Sequence, residues 1–323
     1  MEPWVIGIDL GATKVALGLI DPENRIVARR RFAMAEAPSA GAVVDRIAAA
    51  VAELSAGLPA GQALAGVALC SPGPLDHQAG VILDPPNVPT LHNVPLARLL
   101  EERLALPVRL EHDAKASALG EYHYGAGRGA RSMVYIVVGT GVGAAIIVDG
   151  QLLRGEHNSA GEIGHITIDM HGELCSCGST GCVETQLAGP GLARGYRQAL
   201  QQAADLPPGA PHPDEVTGEV VTQRAAAGDP LALAVMARAG EALGTAVATA
   251  AMILNIDLYV IGSSVAKAGD LLLEPARQAV WRHAHRSVAS TVRIVPSALA
   301  DDGPILGCGW IIRQALRSQA ASA

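Results

Sequence analysis

Apolar positions open the chain in "WVIGIDLGATKVALGLID" (4–21), where two stretches rich in β-branched residues flank a short turn. Their spacing predicts a β-hairpin. The middle of the chain repeats the arrangement in "SMVYIVVGTGVGAAIIVDG" (132–150). Setting Gly11 on Gly139 lays "GATKVALGLID" over "GTGVGAAIIVD", and Asp21 and Asp149 close the two segments. Any two hairpins look somewhat alike, but the shared glycine turn favours an internal duplication with one hairpin per half.

Between and after the hairpins, short apolar runs alternate with longer helical patterns. Strands are predicted at 64–70, 107–112, 165–169, 257–262 and 292–297. Helices are predicted at 41–56, 95–105, 114–124, 186–203, 229–255, 269–286 and 304–318, the last with Pro304 in its first turn. The Pro-rich stretch 205–215 reads as a surface loop of the second domain. Alternation of this kind gives an α/β protein with mainly parallel sheets and helices on their faces.

Composition adds bounds. A chain of 323 residues is long enough for two domains. A net charge of −7 argues against nucleic-acid binding, which needs a basic face. No run reaches the roughly 18 apolar residues of a membrane span. The most apolar stretch, "ALGTAVATAAMIL" (242–254), reads as a buried helix. The N-terminus is acidic and enters a strand at once, so no signal peptide is expected. A cytoplasmic, reducing setting follows, in which clustered cysteines suggest metal before disulfide.

Three of the five cysteines, Cys175, Cys177 and Cys182, fall within eight positions, with His165 upstream. Three thiolates and an imidazole would make a closed tetrahedral zinc site, structural because no position is left for substrate. Gly178 and Gly181 let the intervening backbone turn. Incidental cysteines beside a surface histidine are the plainer alternative. Cys70 and Cys308 lie in apolar runs and read as core.

The first hairpin turn carries Asp9, Gly11, Thr13 and Lys14. It is not a dinucleotide fingerprint, because a strand rather than a helix follows it, and the G-x4-G-K-[ST] phosphate loop is absent. A hairpin turn can still hold phosphate through its backbone N–H groups, with Thr and Lys as added donors.

The motifs "DLGATK" (9–14), "SPGPLD" (71–76), "PPNVP" (85–89), "EHDAKASALGE" (111–121), "VGTGVG" (138–143), "GEIGH" (161–165) and "CSCGSTGCVE" (175–184) occur in this order. Together they resemble the ROK family of sugar kinases, closest to its bacterial glucokinases, over essentially the whole chain. The resemblance implies a two-domain actin/hexokinase/Hsp70-like (ribonuclease H-like) fold with an ATP and sugar cleft between domains. Domain boundaries are expected at 1–112 and 113–303, with the C-terminal helix packing back on the first domain. It also implies that the two hairpins, including Thr140 and Gly141, hold the ADP phosphates, that Asp9 serves Mg2+ through water, and that Gly262 borders the adenosine. Asp113 is implied as general base; helix capping is its plain alternative, and the two roles are compatible. Sugar contacts carry over to Asn87, His112, Glu162, His165 and Glu184. Homodimers or homotetramers are common in the family. A repressor is not expected, since Asp9 follows so soon on the N-terminus that no DNA-binding segment fits ahead of it.

Two positions depart from the family pattern. His112 and Lys115 stand where Asn residues are usual, and the adenosine loop reads "GSS" (262–264) rather than three glycines. His112 is larger than Asn and can become charged. Lys115 is expected to point to solvent; close to Asp113 it would instead weaken the base. Glucose phosphorylation is the leading expectation. An N-acetylhexosamine or fructose kinase, or a non-catalytic sugar-binding protein, are the alternatives.

Overall fold

The computed structural model describes residues 2–85, 88–262 and 265–322, so the predicted sugar contact Asn87 and the residues Ser263 and Ser264 lie outside the described residues. The first elements are strands β1 (Trp4–Leu10), β2 (Lys14–Ile20) and β3 (Ile26–Ala33), helix α1 (Ala40–Ser55) and strand β4 (Leu64–Ser71). Short strands β5 (Leu75–Asp76) and β6 (Val81–Ile82), helix α2 (Leu96–Leu104), strand β7 (Val108–His112) and helix α3 (Asp113–Tyr124) follow. β1 and β2 pair antiparallel from Val5 opposite Ile20 to Leu10 opposite Val15. The sheet runs β3-β2-β1-β4-β7, with β1, β4 and β7 parallel. The central strands β1 and β4 carry near-continuous apolar runs because helices cover both faces, whereas the edge strand β3 exposes Arg29, Arg30 and Arg31.

The second set comprises β8 (Met133–Val138), β9 (Val142–Val148), β10 (Gln151–Leu153), α4 (Val183–Leu187), α5 (Gly189–Gln202), α6 (Gly218–Ala226) and α7 (Pro230–Leu254). It continues through β11 (Leu258–Gly262), α8 (Asp270–His283), α9 (Arg286–Ala289) and β12 (Arg293–Pro296), and α10 (Gly303–Ser322) closes the chain. The sheet order is β10-β9-β8-β11-β12, with β8, β9 and β10 antiparallel and β8, β11 and β12 parallel. This is the first sheet's topology strand for strand. β8 ends at Val138 and β9 begins at Val142, in the same register with Leu10 and Lys14 that Gly139 keeps with Gly11. The duplication read from the glycine turns therefore extends to whole sheets.

The chain divides into two compact units, residues 1–128 with 301–323, and residues 129–300. Each has its own core. Ile6, Ile8, Leu17, Ile47, Leu69 and Leu110 belong to the first, and Val134, Ile136, Leu243, Val247, Tyr259 and Ile261 to the second. The division falls after Arg128, beyond the expected boundary at 112, because α3 is locked to α10. A Cβ on Gly307 would lie 1.8 Å from the Ala116 carbonyl oxygen, and one on Gly120 would lie 2.1 Å from that of Gly303. Glycine at both positions lets the helix backbones touch, and α10 also packs on β1 and β4.

Two further expectations need correction, and a third, the buried helix at 242–254, holds as part of a longer helix. Residues 165–169 form no strand; Ile163–His165 is a 3-10 turn, and Thr167 makes only an isolated bridge to Cys182. The helix expected over 186–203 is two helices, broken where Ala188 is extended at ψ 159°. The chain also has a helix long and apolar enough to cross a membrane, α7, of 25 residues. Of its most apolar window 61% is buried within the unit, which marks it as a core helix. Asp229 caps α7 by accepting from the Leu231 and Ala232 N–H groups at 2.9 and 3.1 Å. That buried carboxylate is also held by Arg224 and by the Tyr196 hydroxyl at 2.6 Å.

Candidate active site

The first unit gathers its predicted chemistry at the C-terminal edge of its parallel strands, where open α/β sheets form ligand sites. Asp9, the penultimate residue of β1, lies opposite Cys70 of β4, and Ser71 of β4 stands opposite His112 of β7. Asp113 follows as the first residue of α3. Its Oδ1 accepts from the Ala114 N–H at 2.6 Å and lies 3.0 Å from His112 Nδ1. Burial pushes the Asp113 carboxyl up, but the His112 hydrogen bond and charge, with backbone N–H bonds, outweigh it and hold it below its ordinary value. His112 is the N-cap of α3, and Asp113, the first residue inside the helix, keeps an ionised carboxylate at the strand edge.

Asp9 behaves oppositely. Burial first, then the charge of Asp113, raise its carboxyl from 3.8 to about 6, against the pull of Lys14 and of the Cys70 thiol 3.8 Å from Oδ1. A carboxyl with a raised folded-state pKa favours the fold most below its unfolded value, and that contribution is lost as pH rises through about 6. Asp9→Asn is therefore expected to stabilise the metal-free, nucleotide-free protein at pH 8 by roughly 1–3 kcal/mol, and to leave it unchanged at pH 4. Thermal melts of both proteins at the two pH values test this; equal melting at pH 8 would refute it.

The turn between β1 and β2 holds Gly11, Thr13 and Lys14. The Gly11 N–H donates to the Lys14 carbonyl at 2.9 Å, and Thr13 and Lys14 are exposed at the tip. Lys115, expected in solvent, is instead 4% exposed on the first turn of α3, because that face packs inside the unit.

In the second unit the turn Gly139–Val142 joins β8 to β9. Thr140 lines a cavity of about 900 Å3 with Gly189 and Pro190 at the start of α5, Thr217 and Gly218 at the start of α6, and Lys267. A Cβ on Gly218 would come within 2.6 Å of the Gly189 Cα, so the two helix starts meet. Helix N-termini can present N–H groups to an anion; here the Gly189 N–H goes to the Gly139 carbonyl at 2.8 Å and the Val220 N–H to the Thr217 hydroxyl oxygen at 3.2 Å, which leaves fewer to do so. The motif reading missed Thr217, Arg197 and Lys267 along this cavity. The Thr217 side chain, which accepts from the Val220 N–H as N-cap, carried the one local signal. At the end of β11, a Cβ on Gly262 would lie 1.9 Å from the Tyr135 hydroxyl oxygen, so that position excludes any side chain.

The remaining predicted residues gather around the cysteine loop. His165 Nδ1 lies 3.7 Å from Cys175 Sγ, and Cys177 Sγ lies 3.7 Å from Cys182 Sγ. One ligand atom from each of the four falls within 4.8 Å of the others. Sulfurs bound tetrahedrally at about 2.3 Å stand about 3.8 Å apart, so the donor set and spacing fit zinc. Cys182 is pushed up to about 12 by burial and its thiol neighbours, whereas a backbone N–H at Ser179 helps bring Cys177 to about 7. A divalent cation would relieve that crowding of negative charge. The loop is continuous with the predicted sugar contacts. The Val183 N–H donates to the Ile166 carbonyl at 3.0 Å, placing Glu184, on the first turn of α4, beside the His165 turn that Glu162 opens. Glu184 also reaches the hairpin, where its Oε2 accepts from the Val142 N–H at 2.8 Å. A Cβ on Gly141 would lie 2.7 Å from that oxygen.

Comparison with known proteins places the chain in a family. The ROK family model matches residues 5–315. The chain is 33% identical to a glucokinase of Thermotoga maritima over 313 residues, covering 96% of this chain and 97% of the relative. It is 30% identical to a putative xylose repressor of a Caldicellulosiruptor species, covering 94% of this chain and 76% of that protein. A solved ROK glucokinase of Streptomyces griseus, in complex with glucose and AMPPNP, superposes with a TM-score of 0.81 at 32% identity, covering 96% of this chain and 99% of the other. Sheet topology, motif order and these matches agree: the chain belongs to the ROK family and has the actin/hexokinase-like two-domain fold of its sugar kinases.

Proposed function

We propose that this chain transfers the γ-phosphoryl group of ATP to a hexose hydroxyl, with glucose the preferred acceptor and glucose 6-phosphate the product. The observation that carries this reading is Asp113, an ionised carboxylate at the C-terminal edge of a parallel strand and on the first turn of a helix. Phosphoryl transfer needs an oriented nucleophile and neutralised phosphate charge more than covalent help. Asp113 accepts the hydrogen bond of the attacking hydroxyl and takes its proton as the oxygen–phosphorus bond forms.

The first unit contributes Asp9 toward a hydrated Mg2+, and Gly11, Thr13 and Lys14 toward phosphate; the metal ion neutralises developing phosphate charge. It also contributes Asn87 and His112 to the sugar. The second unit contributes Thr140 and Gly141 to phosphate, with the N-termini of α5 and α6, and Gly262 to the adenosine. Its Glu162, His165 and Glu184 accept from or donate to sugar hydroxyls. With Glu184 Oε2 committed to the hairpin amide, Oε1 is the oxygen that meets the sugar. Zinc held by His165, Cys175, Cys177 and Cys182 is structural and fixes these three residues. The glucokinase relatives support glucose as acceptor. His112 favours a second reading, in which an N-acetylated hexosamine or fructose is the substrate, because an imidazole replaces an amide beside the reacting hydroxyl.

A coupled assay for ADP release tests both, using Mg·ATP with glucose, mannose, fructose, N-acetylglucosamine or N-acetylmannosamine. Turnover fastest with glucose is the expected result. Turnover confined to another sugar keeps the mechanism and changes the substrate, and silence across the panel from folded, zinc-loaded protein overturns the kinase reading.

A further inference from the structure

His112 stands at the end of β7 as the residue before Asp113 and is the N-cap of α3. The imidazole edge lies against Gly73. A Cβ there would come within 3.0 Å of Cδ2 and 3.1 Å of Nε2, so glycine makes room for the ring. Nδ1 lies 3.0 Å from Asp113 Oδ1. A nitrogen lone pair and a carboxylate oxygen do not approach that closely without a proton between them. The carboxyl is the group held ionised, so the proton belongs on Nδ1. The Ala114 N–H points toward both atoms, 2.6 Å from Asp113 Oδ1 and 3.3 Å from His112 Nδ1; the shorter bond, to the carboxylate, is the one it keeps when Nδ1 carries the proton, and the longer one is given up.

We propose that His112 is the positioning residue for Asp113: its Nδ1–H holds Oδ1, leaves Oδ2 to take the sugar hydroxyl proton, and makes base strength depend on the charge of the ring. This rests on the sugar-kinase reading above. In the transfer, the sugar O–H bond breaks, its proton goes to Oδ2, and the oxygen electron pair forms the bond to phosphorus as ADP leaves. With the ring neutral, Nδ1–H orients the carboxylate without drawing off its charge. With the ring protonated, the carboxylate faces a full positive charge and becomes a poorer acceptor.

The other groups near the pair are fixed in the same unit. Asp9 on β1 and Cys70 on β4 sense the charge of Asp113. Glu111 on β7 accepts from the His112 N–H at 2.9 Å, and Lys115 lies buried on the first turn of α3. Lys14 on the hairpin and Asp301 before α10 act on Asp9 beyond them. A pH response of the pair is therefore assigned by substitution at 112 and 113, not by the profile alone.

The test has two independent readouts on the full chain. Nitrogen-detected NMR titration follows the His112 ring in wild type and Asp113→Asn. The ring pKa is expected to fall by at least about one pH unit in the variant. The pH profile of kcat/KM is compared in wild type, His112→Ala and His112→Asn. His112→Ala is expected to lower kcat at least about tenfold. His112→Asn should recover most of that loss, since its amide donates to Oδ1 without ionising, and should move the acid limb down by about one pH unit or more. An unchanged ring pKa in Asp113→Asn, or acid limbs that coincide in wild type and His112→Asn, overturns the proposal. Absence of turnover with every sugar would instead sink the kinase reading, and the ring titration would still decide the pairing.

Discussion

Asp113→Asn is expected to lower turnover by about a thousandfold or more while leaving sugar affinity within a few-fold of wild type. The amide oxygen of Asn can still accept from the Ala114 N–H that Oδ1 accepts at 2.6 Å, so the cap of α3 and the fold around it survive. What is lost is the proton acceptor, and general base catalysis contributes about 10²–10⁴ in rate. An interaction made only as the transition state forms appears in kcat and kcat/KM together, not in substrate binding. Calorimetric titration of the sugar and the coupled assay on the same preparation separate the two effects. Undiminished turnover would remove Asp113 as the base and leave it a first-turn residue that accepts from the Ala114 N–H. Because the carboxyl is held below its ordinary value, wild-type activity should not fall at pH 5 through protonation of Asp113 itself.

The second large effect is expected from the metal loop. Purified protein never exposed to chelator should carry about one zinc per chain, and Cys177→Ser or strong chelation should remove it. Structural zinc binds small folding units with about 10–16 kcal/mol of apparent free energy at neutral pH. In a unit with its own large core only part of that appears as stability, and a fall in melting temperature of about 10 °C is expected. Turnover should fall by at least about a hundredfold, because Glu184 and the His165 turn that Glu162 opens are joined to the loop backbone. Asp113 and His112 belong to the other unit, so the NMR signature of their pairing should persist in the metal-free protein. Metal analysis finding no zinc, or a Cys177→Ser variant with wild-type melting and turnover, would overturn the structural role.

Local pattern sufficed where the physics was local. Alternating and continuous apolar runs marked most of the long strands and helices, because period and capping are written in neighbouring residues. Two glycine turns, at Gly11 and Gly139, revealed a duplication that reappears as two sheets of identical strand order. The cysteine spacing, with His165 ten positions upstream of Cys175, singled out the same four residues whose ligand atoms meet within 4.8 Å, since closing a loop from 165 to 182 is a local constraint.

Other features depended on tertiary contact. The division after Arg128 rather than at 112 follows from glycine contacts between α3 and α10, which are separated in the sequence by the whole second unit. The burial of Lys115 comes from the same packing, and no helical pattern of a single charged residue announces it. The stretch 165–169 has the β-branched composition of a strand but becomes a turn, since the loop around Cys182 claims its backbone through the Ile168-to-Gly181 and Val183-to-Ile166 bonds. The opposite shifts of Asp9 and Asp113, both strand-edge aspartates in the sequence, arise from what surrounds each carboxylate: burial dominates at Asp9, and the His112 ring with the helix N–H groups dominates at Asp113. Residue type and spacing determined which groups are available for chemistry. Only the fold decided which of them are charged, which are buried and which face one another, because desolvation and Coulomb energy depend on distances that the order of residues does not contain.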